Sequence, residues 1–184
     1  MNPEEISPEF RSSAKSYERP APLDGVRTLR LNRFTDERGF LMEIFRARSN
    51  HAGSRDLAEF FEGIPVVQMN LSVVDAPDHI KGLHYHLKQD DVWFFPPPSK
   101  AKVILYDIRK GSPSFGRTQT VVAGGGQDLL VRIPAGVAHG YRPLTNPCSL
   151  LYLVTETFDP ASPDEFRIPW DHPAVKDLWN VPNG

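Results

Sequence analysis

Lys81-Gly82-Leu83-His84-Tyr85-His86, together with Ile133-Pro134-Ala135-Gly136-Val137-Ala138-His139-Gly140, decides the reading of this chain. The first stretch alternates, so His84 and His86 point to one face of a strand. The second places a histidine just after a Pro-x-Gly turn. Two such strands facing each other inside a small barrel gather imidazoles in a pocket. Such a pocket suits either proton chemistry or a metal ion.

Short β segments extend outward from these two stretches. Strands are expected over residues 26–33, 40–46, 65–74, 80–86, 92–95, 102–108, 129–133, 138–142 and 149–157. Turns are expected at Asp36-Glu37-Arg38-Gly39, Ser112-Pro113 and Gly124-Gly125-Gly126. The run Pro96-Pro97-Pro98 cannot continue a sheet ladder. Residues 54–61 read as the best helix, with Ser54 as its cap, and residues 173–178 as a short second one. In 65–74, Val67, Met69, Leu71 and Val73 fall on one side and Gln68, Asn70 and Ser72 on the other. The uncharged polar side either lines a pocket or is simply solvated. Many short strands broken by turn residues give an all-β fold, a jelly-roll barrel with short peripheral helices, of the kind that holds small ligands inside.

The chain has 184 residues, enough for one domain with an arm. Residues 1–25, polar and rich in Pro, Ser and Glu, are expected to be that N-terminal extension, and 26–184 the single jelly-roll domain. The net charge of −2 offers no bulk attraction for nucleic acid or an anionic membrane. No stretch approaches the ~20 apolar residues of a membrane helix, and the acidic N-terminus is not a secretory signal pattern. A lone cysteine, Cys148, can form no internal disulfide, which leans towards a reducing, cytoplasmic setting.

Asp90 and Asp91 follow shortly after His86. A His-x-His pair, a nearby acid and a later Pro-x-Gly-x-x-His is similar to the metal-site pattern of the cupin superfamily, with Asp in place of the usual Glu. On that reading His84, His86, Asp91 and His139 would hold Fe, Mn, Ni or Zn.

A second resemblance is more specific. Asp36-Glu37-Arg38-Gly39-Phe40 with Glu43, Gln68-x-Asn70-x-Ser72, Gly82-Leu83-His84-Tyr85, the run from Asp107 to Gly116, Ile133-Pro134-x-Gly136-x-Ala138-His139-Gly140, and Tyr152 followed by Thr155 resemble the dTDP-4-dehydrorhamnose 3,5-epimerases and related dTDP-sugar epimerases. The match runs from about Arg33 to Pro173. It implies a cupin-type jelly roll, a homodimer in which an N-terminal strand crosses to the partner, no metal and no organic cofactor, and a dTDP-4-keto-6-deoxyhexose substrate. It further implies that His84 is the base and Tyr152 the opposing acid, and that His139 binds or orients. By the same resemblance Arg38 would clamp a phosphate, and Phe40 and Glu43 would contact the base and sugar of a ligand held by the other subunit. Gln68, Asn70 and Lys81 would contact the hexose and diphosphate, Lys81 standing where the family has an arginine.

This chain departs from the family in three places. Val92 stands where the family carries a lysine near the enolate oxygen. Trp170-Asp171-His172 replaces Trp-Asn-Asp, which puts His172 at the position of the carboxylate that orients the base. His86 replaces a glutamine and so completes the His-x-His pair.

Overall fold

The computed structural model describes residues 2–10, 20–47, 55–76 and 79–180. Among these, twelve strands follow one another: β1 (Arg27–Arg30), β2 (Arg33–Asp36), β3 (Gly39–Met42), β4 (Gln68–Val74), β5 (Lys81–Tyr85), β6 (Asp91–Phe94), β7 (Lys100–Asp107), β8 (Thr118–Gly124), β9 (Leu129–Ile133), β10 (Val137–Pro143), β11 (Cys148–Val154) and β12 (Phe166–Arg167). One short helix, α1 (Arg55–Phe60), precedes β4. The expected cap Ser54 lies outside the described residues.

Two five-stranded antiparallel sheets form the body, in the orders β1-β9-β6-β11-β4 and β12-β5-β10-β7-β8. Between them lie Trp93, Phe95, Val103, Leu105, Val131, Ile133, Tyr141 and Leu150. The jelly roll expected from the sequence is thus the observed architecture. Leu23 joins the same core; its backbone N–H donates to the Gln119 side-chain oxygen at 2.8 Å.

Part of the outer face of each sheet is also covered, which explains strands apolar on both sides. Leu57 and Phe60 of α1, with the following Phe61, lie over Val92, Phe94, Leu130 and Leu153. Val175 and Trp179, by a 3-10 turn at Lys176–Trp179, lie over Leu83, Ile104 and Ala138. Val92-Trp93-Phe94-Phe95 therefore alternates between two apolar clusters, with Val92 and Phe94 on one side and Trp93 and Phe95 on the other. Each large apolar side chain so buried contributes roughly 1.5–3 kcal/mol.

The structure departs from the sequence reading at identifiable residues. The strand expected over 26–33 stops at Arg30, the last residue paired with β9, and Asp128 holds the chain just beyond it. The Leu31 N–H donates to the Asp128 carbonyl at 2.7 Å, and Arg33 forks onto the Asp128 carboxylate at 2.5 and 2.8 Å. The chain resumes as the β2–β3 hairpin, a separate two-stranded sheet. The strand expected over 40–46 ends at Met42; beyond it Glu43 pairs with Arg46. β8 was not expected, since Val121-Val122-Ala123 breaks period-2 alternation and the glycines after it read only as a turn. Residues 176–179 form a 3-10 turn rather than the expected α-helix over 173–178.

The pairing of β5 with β10 sets the site. His139 stands opposite His84, and Tyr141 opposite Lys81, so β5 carries one extra residue between these pairs. This bulge turns both Lys81 and His84 to the space between the sheets. Gly82 and Gly140 make the close approach possible: a Cβ on Gly82 would sit 2.6 Å from Gly140 Cα and 3.0 Å from the His139 carbonyl oxygen.

Candidate active site

The two sheets part at one end around a cavity of about 700 Å3. Gln68, Asn70 and Ser72 of β4, Lys81 and His84 of β5, His86, Asp91 and Trp93 near β6, and Tyr152 of β11 line it. Of the residues expected in the site, Gln68, Asn70, Lys81, His84 and Tyr152 therefore share one cavity. The polar side of β4 faces this space and is not merely solvated. Gln68 donates to the Asn70 side-chain oxygen at 2.8 Å, so the two amides form one polar surface.

His84 and Tyr152 stand on opposite walls, because β5 and β11 belong to different sheets. His84 is packed against other rings, with its centroid 4.3 Å from His139 and 5.3 Å from His86. Burial first, then the neighbouring imidazoles of His139 and His86, push its pKa far below the ordinary imidazole value. It is therefore neutral near pH 7 and able to accept a proton. Tyr152 is shifted the other way, its phenol raised by burial and then by Asp91 and Glu165. It keeps its proton at neutral pH and can donate it.

Behind His84 lies a buried polar cluster. His139 is 2% exposed, as is Asp91. Burial alone would raise the Asp91 carboxyl, but His139, His86 and the Trp93 indole hold it below the usual carboxylate range. Trp93 donates to Asp91 at 2.9 Å and Gln89 donates to it at 2.7 Å. One ligand atom from each of His84, His86, Asp91 and His139 lies within 4.8 Å of the others. This is the set that could hold a metal.

The three departures from the family pattern have structural counterparts. Val92, 1% exposed, points into the layer under α1 and away from the cavity. His172 lies by Tyr106, ring centroids 5.9 Å apart, on the outer side of the second sheet. Its Nδ1 accepts the Ala174 N–H at 3.2 Å. The carboxylate beside the histidines is instead Asp91, which the sequence reading treated only as a metal ligand. His86 joins the cluster, and its Nδ1 is hydrogen-bonded to the Asp164 carbonyl oxygen.

Arg38, Phe40 and Glu43 do not line the cavity of their own chain. Arg38, with a side chain 88% exposed, pairs with Asp36. Phe40 lies under the Arg33 guanidinium at 4.5 Å. Glu43 is held by Arg46 through two 2.6 Å hydrogen bonds.

Other lining residues were missed: Trp93, Tyr141, Gln89, Asp164 and Arg167. Asp164 fastens the 86–89 turn, its carboxylate accepting the backbone N–H groups of Leu87, Lys88 and Gln89 at 2.9, 2.8 and 3.1 Å. The Tyr141 hydroxyl is buried and its pKa is pushed up to about 12, chiefly by burial. The alternation in Glu165-Phe166-Arg167-Ile168 was the one available signal for β12, which places Arg167 opposite His84.

Comparison with known proteins accords with this geometry. The profile of the dTDP-4-dehydrorhamnose 3,5-epimerase family matches residues 20–183. The chain is 38% identical over 163 residues to the spore coat polysaccharide biosynthesis protein SpsL of Bacillus subtilis, covering 86% of this chain and 97% of that protein. It is 32% identical to the probable low-salt glycan biosynthesis epimerase Agl13 of Haloferax volcanii, covering 85% of this chain and 92% of that one. The crystal structure of the dTDP-6-deoxy-D-glucose-3,5-epimerase of Legionella pneumophila, in complex with dTDP-4-keto-L-rhamnose, superposes with a TM-score of 0.72 at 27% identity, covering 88% of this chain and 82% of that one. The two-sheet jelly roll is the fold of these epimerases. The chain belongs to the dTDP-4-dehydrorhamnose 3,5-epimerase family.

Proposed function

We propose that this protein is an isomerase that epimerises a dTDP-linked 4-keto-6-deoxyhexose next to its ketone. The observation that carries this reading is the placement of His84 and Tyr152 on opposite walls of one cavity. A ketone at C4 acidifies the hydrogens at C3 and C5. His84 takes one of these protons; the C–H bonding pair becomes the C=C bond, and the carbonyl π pair moves onto oxygen. Tyr152 then returns a proton to carbon from the other face, the enolate collapses to the ketone, and the configuration is inverted. Exchange with solvent resets both groups. Gln68 and Asn70 would hydrogen-bond the hexose, and Lys81 would contact the diphosphate. His139, behind His84, would orient it.

The test follows the C3 and C5 protons of dTDP-4-keto-6-deoxyglucose by NMR in D2O. Loss of signal at either carbon is the expected result and names the carbon attacked. Tyr152→Phe separates the two half-reactions: washout of the abstracted proton persists, while formation of the inverted sugar falls by about 10²-fold or more. Equal loss of both would remove Tyr152 from the role of opposing acid. Tight binding of dTDP with no exchange in any ketosugar would replace the enzyme reading with a binding one.

The same reading places the nucleotide site across a homodimer. The outward side of edge strand β4 is apolar, with Met69 and Leu71 each 64% exposed and Val67 and Val73 beside them. Phe34 and Leu41 extend exposed apolar surface along the β2–β3 hairpin. A second copy covering β4 would bury this surface and bring its Arg38, Phe40 and Glu43 to the cavity. We place the exchanged segment in the β2–β3 hairpin, because β1 pairs with β9 of its own chain. Sedimentation is expected to give a dimer, and Leu71→Lys a monomer with weakened dTDP binding. A wild-type monomer that binds dTDP normally would overturn the shared site.

A further inference from the structure

Two histidines of the buried cluster carry the lone pair of a metal ligand on the same side. The Nδ1 of His139 lies 2.8 Å from the Val137 carbonyl oxygen. A carbonyl can only accept, so this nitrogen carries a proton, and in the neutral ring the lone pair lies on Nε2. That Nε2 is buried and has no hydrogen-bond partner. It stands 3.6 Å from the Asp91 carboxylate, beyond hydrogen-bond length. His86 repeats the arrangement, with Nδ1 held by the Asp164 carbonyl. Its Nε2 faces the Gln89 amide nitrogen at 3.3 Å, and the same nitrogen donates to Asp91 at 2.7 Å. Because the Gln89 nitrogen is fixed as a donor by the carboxylate, the His86 Nε2 is again an acceptor.

Backbone carbonyls that hold Nδ1–H and aim Nε2 inward are how proteins fix metal-binding imidazoles. A purely structural histidine cluster would pair these nitrogens, whereas His139 Nε2 is left bare at 2% exposure. Gln89 satisfies His86 and Asp91 as a cation would, but has no bond to His139. Ligand atoms about 2.1 Å from a common ion stand at most about 4.2 Å apart. The observed 4.8 Å envelope therefore needs only small side-chain rotations.

We propose that His86, Asp91 and His139 form a site for one divalent first-row transition-metal ion, with open positions towards the cavity that take the enolate oxygen of the substrate, while His84 remains free as the base. The role assigned to the ion rests on the epimerase reading above. Two imidazoles and a carboxylate suit such an ion, and its remaining positions accept oxygen. The need for it follows from Val92. That position supplies no cation to the cavity, and Lys81, Lys88 and Arg167, which do line it, are exposed. A divalent ion beside Asp91 supplies the missing positive charge: it accepts the carbonyl oxygen as the π pair moves onto it, while the proton goes to His84. Among the described residues, no hydrogen bond holds either ring nitrogen of His84, which leaves it able to take that proton.

The test begins with the full chain purified without an affinity tag and analysed for metals. The chelator-stripped protein is then titrated with Co2+ and followed by its visible d–d absorption. About one ion per chain is expected, with affinity at least ~100-fold weaker in His86→Gln and in Asp91→Asn. His84→Asn should bind Co2+ as the wild type does. Thermal melts check that each variant is folded, and His86→Gln replaces one ligand with an uncharged side chain of similar length. Deuterium exchange into the ketosugar is read on the same samples, and should be lost on stripping and restored by the ion. Absence of binding, or equal Co2+ affinity in folded His86→Gln, overturns the site, and exchange that continues in stripped protein leaves the epimerase reading standing without it. Binding with metal-independent exchange overturns the role of the ion, as does loss of Co2+ in His84→Asn for the division of labour. Co2+ bound at this site with no exchange under any condition overturns the enolate role and the epimerase reading together, and leaves a metal-binding protein.

Discussion

His84→Asn is expected to lower deuterium exchange at the carbon next to the ketone by about 10²- to 10⁴-fold, the usual contribution of a positioned acid or base. Asparagine keeps much of the shape of the imidazole and its hydrogen-bonding capacity but cannot hold a proton in transit. Binding of dTDP, measured by calorimetry, should change little, because the nucleotide contacts are assigned to other residues. That split between lost chemistry and retained binding distinguishes a base from a packing residue. The ring lies 4.3 Å from His139 and 6.4 Å from Trp93, so a structural histidine here would show its loss in the melting temperature and in dTDP affinity alike. Exchange unchanged in a folded His84→Asn protein would take this histidine out of the mechanism.

The fold was legible because the turn residues are unambiguous and most strands alternate. Gln68-Met69-Asn70-Leu71-Ser72-Val73 shows both the strength and the limit of such reading. Its period of two was plain, but which side faced inward was not, and the structure gives the inward place to the polar side. Apolar periodicity points to whatever will be covered, and that includes surface left exposed on a single chain. The β2–β3 hairpin raises the same difficulty: Arg38, Phe40 and Glu43 form a motif in the sequence yet lie away from the cavity of their own chain. His84, His86 and His139 could be grouped in advance because strand alternation and a Pro-x-Gly turn are local. Asp91 could be named, but not its pairing with Gln89 and Trp93, and Asp164 could not be placed at all. Its bonds to the 86–89 turn span more than seventy residues of sequence, and no local pattern carries such a contact.

Gly82→Ala is expected to destabilise the protein by about 2–4 kcal/mol, through steric overlap at a site with no room to relax. Gly82 sits at φ +126°, a conformation that side chains rarely adopt. Its added carbon would lie 2.6 Å from Gly140 Cα, so backbone must move against backbone. Gly140 is no freer, since its own Cβ position is 2.5 Å from the Lys81 carbonyl oxygen and 3.1 Å from the Trp179 ring. Relief requires β5 and β10 to separate, and these are the strands that set His84 opposite His139. Denaturant unfolding should show the loss, with a melting temperature lower by about 4 °C or more. Exchange activity should fall even in protein that remains folded, because the base moves with its strand. Gly111→Ala is the control: nothing lies within 4 Å of its Cβ position, and its stability should change by no more than about 0.5 kcal/mol. If the two substitutions behave alike, the close contact between the bare backbones of Gly82 and Gly140 does not hold the catalytic histidine in register.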